Sequence, residues 1–203
     1  PEVGATRRTI DRAVLGIIRT GARHWLFIVN VGLGIFSLTP FLAPYLLAHG
    51  YERLAAVIYA LYSTTCHQMP GRSFFLWGEP LAYCQRNTAI YLAAFLAGLA
   101  YIRLRDRLRL LPWRWYLVLI FPMALDGFTQ LVGLRESTWV LRLLTGSLFG
   151  VASVWLTFPY VERAAREIAA ELEVLRGQVS VPGVGSAGRP ATGSDRQAGK
   201  EVI

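Results

Sequence analysis

Lysine is nearly missing from this chain: of its 21 Lys and Arg residues, only Lys200 is lysine. Charge is scarce altogether, 17% of residues against about 25% in a typical soluble domain. Cysteine occurs twice, as Cys66 and Cys84. Hydrophobic residues, by contrast, make up 54% of the 203 positions. So little charge and so much apolar surface excludes disorder for most of the chain and argues against a soluble enzyme. The formal net charge is +8. In a soluble domain that balance would point to nucleic acid. Here the arginines stand at the edges of long apolar runs, as they do in the cytoplasmic loops of membrane proteins. The lipid bilayer is the expected partner, and nucleic acid is not.

A helix that crosses a membrane needs about 20 mostly apolar residues. Trp25–Leu47 is the first such run, too long for the apolar core of a secretory signal, and it reads as a retained span. Pro40 and Pro44 predict that its end is kinked or unwound. Asn87–Ile102, Trp115–Leu134 and Thr138–Val161 follow, the third run interrupted only by Asp126 and the fourth only by Arg142. Leu54–Tyr62 is apolar but short. At ~1.5 Å per residue it covers about 14 Å, half a bilayer.

Charge decides how that short run is used. Arg7, Arg8, Arg12, Arg19 and Arg23 precede the first span, and Arg103, Arg105, Arg107 and Arg109 follow the second. By the positive-inside rule both groups are cytoplasmic, so only an even number of spans fits between them. The expected fold is therefore all-α: a polytopic membrane helix bundle of four spans, with Leu54–Gln68 as a re-entrant or interfacial half-helix. Five spans is the alternative. Residues 1–24 form a basic cytoplasmic segment, and 25–161 form the bundle with an outer connection over 49–86. Residues 162–176 form a cytoplasmic helix, where Glu162/Arg166 and Arg163/Glu167 are spaced for surface pairs. Residues 177–203, rich in Gly, Ser, Pro and Ala, read as a disordered tail. The protein is placed in the cell membrane as a multi-pass chain with both termini cytoplasmic.

The outer connection holds both cysteines, within Cys66-His67-Gln68-Met69-Pro70-Gly71-Arg72 and Tyr83-Cys84-Gln85-Arg86. Three readings fit them. The first is a Cys66–Cys84 disulfide on the oxidising side, where closing a loop of this size contributes about 3 kcal/mol. The second is zinc held by Cys66, His67 and Cys84, although adjacent Cys and His point apart on a regular element and a fourth ligand is missing. The third is a pair of unrelated buried thiols. Arg72 and Arg86 suit a phosphate or carboxylate group held bidentately.

Ionisable residues at bilayer depth normally face a partner or a cavity. Asp126 and Arg142 flank the turn near Arg135 at similar distances, nine and seven residues. An antiparallel hairpin would bring them to the same depth, so an Asp126–Arg142 ion pair is expected. Gln130 lies on the same helix face as Asp126, at i+4. Gly146 and Gly150 form a small-residue pair that lets helices approach closely, inside the bundle rather than between copies.

Four motifs recur in one order: Cys-His-Gln-x-Pro-x-Arg-Ser-Phe-Phe (66–75), Cys-x-Arg-x-Thr-x-x-Tyr (84–91), Asp-Gly-x-x-Gln (126–130) and Arg-x-x-Thr-Gly (142–146). Together they resemble a family of prokaryotic membrane proteins known as domain of unknown function twenty eighty-five, over roughly Tyr51 to Gly150. The resemblance implies that the outer Cys/His/Arg segment and Asp126 form one site, and it brings no established activity. Many members read Cys-x-Arg-Cys-Thr-Gly at the second motif, where this chain has Asn87 and Ala89 at the last Cys and Gly. A Cys/His/Cys/Cys metal cage on that pattern would lack one ligand here.

Two functions compete. One is an outer-face polar site of Cys66, His67, Arg72, Cys84, Arg86, Asp126, Gln130 and Arg142, binding a metal such as zinc or an anionic, lipid-like ligand. No hydrolase signature accompanies it. The other is a non-catalytic accessory subunit docked to other membrane subunits through the cytoplasmic helix and tail.

Overall fold

The computed structural model describes residues 2–180, with side chains described over 14–174. Its elements in order are α1 (Glu2–Ala48), α2 (Glu52–Ser63), a single turn at Pro70–Arg72, β1 (Ser73–Leu76), β2 (Glu79–Cys84), α3 (Gln85–Leu104), α4 (Trp113–Leu131) and α5 (Trp139–Ser180). The protein is a helix bundle with one small antiparallel hairpin. Three stretches are long and apolar enough to cross a membrane: Val14–Ala48, Gln85–Leu104 and Trp139–Val174. Their outward faces carry exposed Phe27, Ile35, Leu38, Leu96 and Leu144, surface that suits lipid.

The third expected span, Trp115–Leu134, falls on α4, which contains Arg114, Asp126 and Gln130 and is not among these three stretches. It nevertheless runs the length of the bundle. At its start, Tyr116 Oη lies 3.4 Å from Ser153 Oγ, well along α5. At its end, Gln130 reaches Arg86 at the head of α3. The half-helix α2 has 12 residues, about 18 Å at 1.5 Å each, too short to cross.

Capping sets the helix ends. Glycine closes both α1 and α4, because each needs a left-handed residue just past its last turn. At Gly50 (φ 82°) the chain makes the paired bonds Tyr51 N–H to Leu46 O and Gly50 N–H to Leu47 O. At Gly133 (φ 72°) the same pattern joins Leu134 to Thr129 and Gly133 to Gln130. The expected unwinding at Pro40 and Pro44 does not occur, and α1 is continuous through both. Pro40 leaves the Phe36 carbonyl without its helical donor, and Tyr62 Oη donates to it at 3.0 Å. The basic segment preceding the first span is part of α1, and the helix after Glu162 is part of α5, which continues to Ser180. The rest of the expected tail lies outside the described residues.

Two packed regions hold the bundle. At the hairpin end, Ala43, Ile58, Tyr62, Cys66, Ala82 and Tyr83 are buried together, with Phe36 and Tyr91 against them. Tyr83 stacks on Tyr91 at 5.1 Å and meets Tyr62 edge-on at 4.8 Å. At the other end, Leu26, Ala94, Tyr101, Val154 and Phe158 pack around Trp25. There Trp25 Nε1 donates to Glu162 at 2.9 Å, and Arg166 bridges Glu162 and Asp106.

Candidate functional site

The sequence between α2 and α3, read from the sequence only as a connection, folds as a hairpin. Ser73 pairs with Cys84 and Leu76 with Glu79, around a two-residue turn in which Trp77 and Gly78 both have positive φ. Gln68, itself at φ 50°, ties this hairpin to α2: its Nε2 donates to Tyr59 O at 2.7 Å and to Ala82 O at 3.2 Å. Tyr59 Oη donates to Pro80 O at 2.5 Å. The loop after α2 is thereby folded over the head of α3. Asn87 fastens it from the other side, Nδ2 donating to Thr65 O at 3.0 Å.

A cavity of about 210 Å³ opens under this cover. Cys66, His67, Arg72, Cys84, Arg86, Gln130 and Arg142 all line it. Seven of the eight residues expected at the site therefore meet at one opening. The eighth, Asp126, is 1% exposed and lies behind Arg86. No carboxylate lines the cavity, whereas three arginines do.

The expected Asp126–Arg142 pair is not formed. Asp126 Oδ2 accepts from Arg86 and from Ser137 Oγ (2.8 Å), and its Oδ1 accepts from Arg135 Nη2 at 2.9 Å. Arg142 turns to the hairpin side instead and donates from Nη1 to Gln85 Oε1 at 3.0 Å. Gln85 passes the contact on, Nε2 donating to Ser73 O at 3.4 Å. Arg135, Ser137 and Gln85 thus join the site without having been singled out by the sequence. Gln85 had a visible signal, being enclosed between Cys84 and Arg86. Ser137 had none.

Arg142 is 7% exposed, and among the described residues no carboxylate contacts it. Its Nε is buried without a hydrogen-bond partner, as are Arg86 Nε and Gln130 Nε2. All three atoms are donors on residues that line the cavity.

The two cysteines are both free and come from different elements. The Cys84 backbone N–H donates to Cys66 Sγ at 3.0 Å, and both residues line the cavity. The neighbouring Cys66 thiol, acting as a hydrogen-bond donor, lowers the Cys84 thiol below its ordinary value. The first N–H groups of α3, at Asn87 and Arg86, and the Arg86 charge act the same way, against burial. The Cys66 thiol, which surrenders that bond if it ionises, is raised, and burial adds to the rise. His67 is exposed at the rim. Among the described residues no three His, Cys, Asp or Glu side chains are placed to hold a metal ion, so the Cys66, His67 and Cys84 set does not fit zinc.

Apolar helices of spanning length with a polar cavity at one end define a polytopic membrane bundle. The chain belongs to the predicted membrane protein family DUF2085, whose model matches residues 66–156. It is similar to Uncharacterized protein MJ1492 of Methanocaldococcus jannaschii, with 39% identity over 145 residues, 68% of this chain and 92% of that protein. An uncharacterized protein of Methanothermobacter thermautotrophicus is 39% identical over 92 residues, 45% of this chain and 83% of the relative. No solved structure matches the chain.

Proposed function

We propose that this protein binds an anionic group, a phosphate or carboxylate, in the cavity beneath the hairpin on the outer face of the membrane. One observation carries the reading: Arg142 is a buried cation whose side-chain partner is the neutral Gln85 amide. Buried charges are normally paired, and a buried donor left without an acceptor costs about 1–3 kcal/mol. An anion among Arg72, Arg86 and Arg142 accepts from the idle N–H groups and balances charge that Asp126, engaged by Arg86 and Arg135, does not. Drug-sized pockets run from roughly 300 to 1,000 Å³. The smaller volume here suits a head group, with any apolar remainder left in the bilayer.

Affinity is read with two probes, inorganic phosphate and short-chain phosphatidic acid, titrated against detergent-purified protein. Arg142→Gln is expected to weaken whichever binds by about tenfold to a hundredfold, the worth of a charge-assisted hydrogen bond. Phosphatidic acid alone binding identifies a lipid source, and both binding identifies a free anion. Absence of binding by wild type, or an unchanged affinity in Arg142→Gln, overturns the reading.

The outer placement has its own test. Glu79→Cys, at the hairpin turn, is expected to react with a membrane-impermeant maleimide on intact cells, above the wild-type background. Labelling only after permeabilisation puts the hairpin and the cavity inside.

A further inference from the structure

We propose that Cys66 and Cys84 form a dithiol–disulfide couple at the cavity, in which Cys84 attacks an external disulfide and Cys66 resolves the product. The anion site explains the arginines but has no use for two sulfurs, and the metal reading fails on ligand geometry. What remains is the only two thiols of the chain, brought from the loop after α2 and the last residue of β2 into contact.

Their surroundings divide the roles. Cys66 is 6% exposed, enclosed by Ala43, Tyr62 and Tyr83, whereas Cys84 is half-buried. Both face an opening, so an incoming sulfur reaches Cys84 first. Cys84 sits immediately before α3 and two residues from Arg86, where helix N–H groups and a guanidinium favour a thiolate. Nothing holding the loop depends on a bond between the sulfurs. Gln68, Asn87 and the Cys84 N–H bond fix it already. The pair is therefore free to open and close without refolding the hairpin.

The exchange balances as follows. The Cys84 thiolate attacks one sulfur of a small-molecule or protein disulfide, R–S–S–R. A protein–S–S–R bond forms, the S–S bond breaks, and R–S⁻ leaves to take a proton from water. Cys66 then loses its proton to solvent and attacks Cys84 Sγ, expelling the second R–S⁻. Counted from the dithiol, whose Cys84 proton has gone to solvent before the attack, the protein gives up two electrons and two protons, and the external disulfide becomes two thiols. An anionic disulfide such as oxidised glutathione suits the arginine-lined approach.

The test uses the full-length protein in detergent, equilibrated with mixtures of reduced and oxidised glutathione and trapped with a maleimide for mass measurement. Wild type is expected to lose both free thiols together and to recover both with excess reduced glutathione. Cys66→Ser should accumulate a glutathione mixed disulfide on the order of tenfold faster than Cys84→Ser at pH 7. Wild type keeping both thiols at every ratio overturns the couple, as does thiol release only after a chelator. Equal rates in the two variants overturn the assignment of Cys84 as attacker. If either variant fails to fold, the wild-type equilibrium alone decides whether the couple exists. Thiol state is read by mass and phosphate affinity by titration on the same wild-type sample, so failure of the anion site and failure of the couple are read separately.

Discussion

Asp126→Ala is expected to lose about 3–5 kcal/mol of stability, enough to leave little folded protein after detergent extraction. The carboxylate is 1% exposed and accepts from three side chains on three segments: Arg86 at the head of α3, Arg135 in the α4–α5 turn and Ser137 before α5. Removing it strands Arg86, whose side chain is only 20% exposed, as an uncompensated charge. The cost falls on Arg86 rather than on Arg135, which is 43% exposed and well solvated. Arg135→Ala should therefore cost well under half as much. A double replacement, Arg86→Leu with Asp126→Leu, removes both buried charges and should recover much of the folded yield. Asp126→Leu with Arg142→Leu should not, because it leaves Arg86 unpaired. Thermal midpoints and the monodisperse fraction on size exclusion separate these outcomes. If the Arg142 combination rescues and the Arg86 combination does not, Arg86 is not the partner of Asp126.

That comparison also shows where sequence reasoning reached its limit. Counting residues from the turn puts Asp126 and Arg142 at one depth. Depth fixes position along a helix and leaves open the direction around it. α5 packs closely on α3 through Gly146 and Gly150, and Arg142, one turn before Gly146, is drawn toward Gln85. Asp126 instead faces the arriving Arg86, from a segment about 40 positions earlier in the chain. The long apolar runs were legible because span length and arginine flanks follow from the bilayer alone. Cys66, His67, Arg72, Cys84 and Arg86 came together because one connection carries them all. The hairpin is not legible in the sequence because Ser73–Leu76 is a four-residue strand whose turn places Trp77 at positive φ, where glycine or asparagine would give the signal.

Gly150→Ala is the second large effect expected, about 1–3 kcal/mol or somewhat more, and it should damage the cavity as well as the bundle. A Cβ at Gly150 would stand 2.3 Å from Ile90 O and 3.1 Å from Ala94 N, and one at Gly146 would stand 2.8 Å from Arg86 O. These neighbours are main-chain atoms of α3, so no side chain can swing aside, and the two helices must separate. Separation at Gly146 displaces Arg86 itself, and with it the contact to Asp126. Gly146→Ala is therefore expected to weaken phosphate or phosphatidic acid binding beyond what its loss of thermal midpoint would suggest. Gly32 supplies the control. It lies in the apolar stretch of α1 with nothing within 4 Å of an added Cβ. Gly32→Ala should be neutral or stabilise by about 0.5–1 kcal/mol through helix propensity alone. The competing use of the Gly146/Gly150 pair, contact between two copies in the membrane, predicts a different pattern. Gly150→Ala would then shift the protein toward monomer on light-scattering size exclusion while leaving its midpoint and anion affinity unchanged. Loss of midpoint without a change of mass places the close contact inside the bundle, where the α3 backbone already occupies the space.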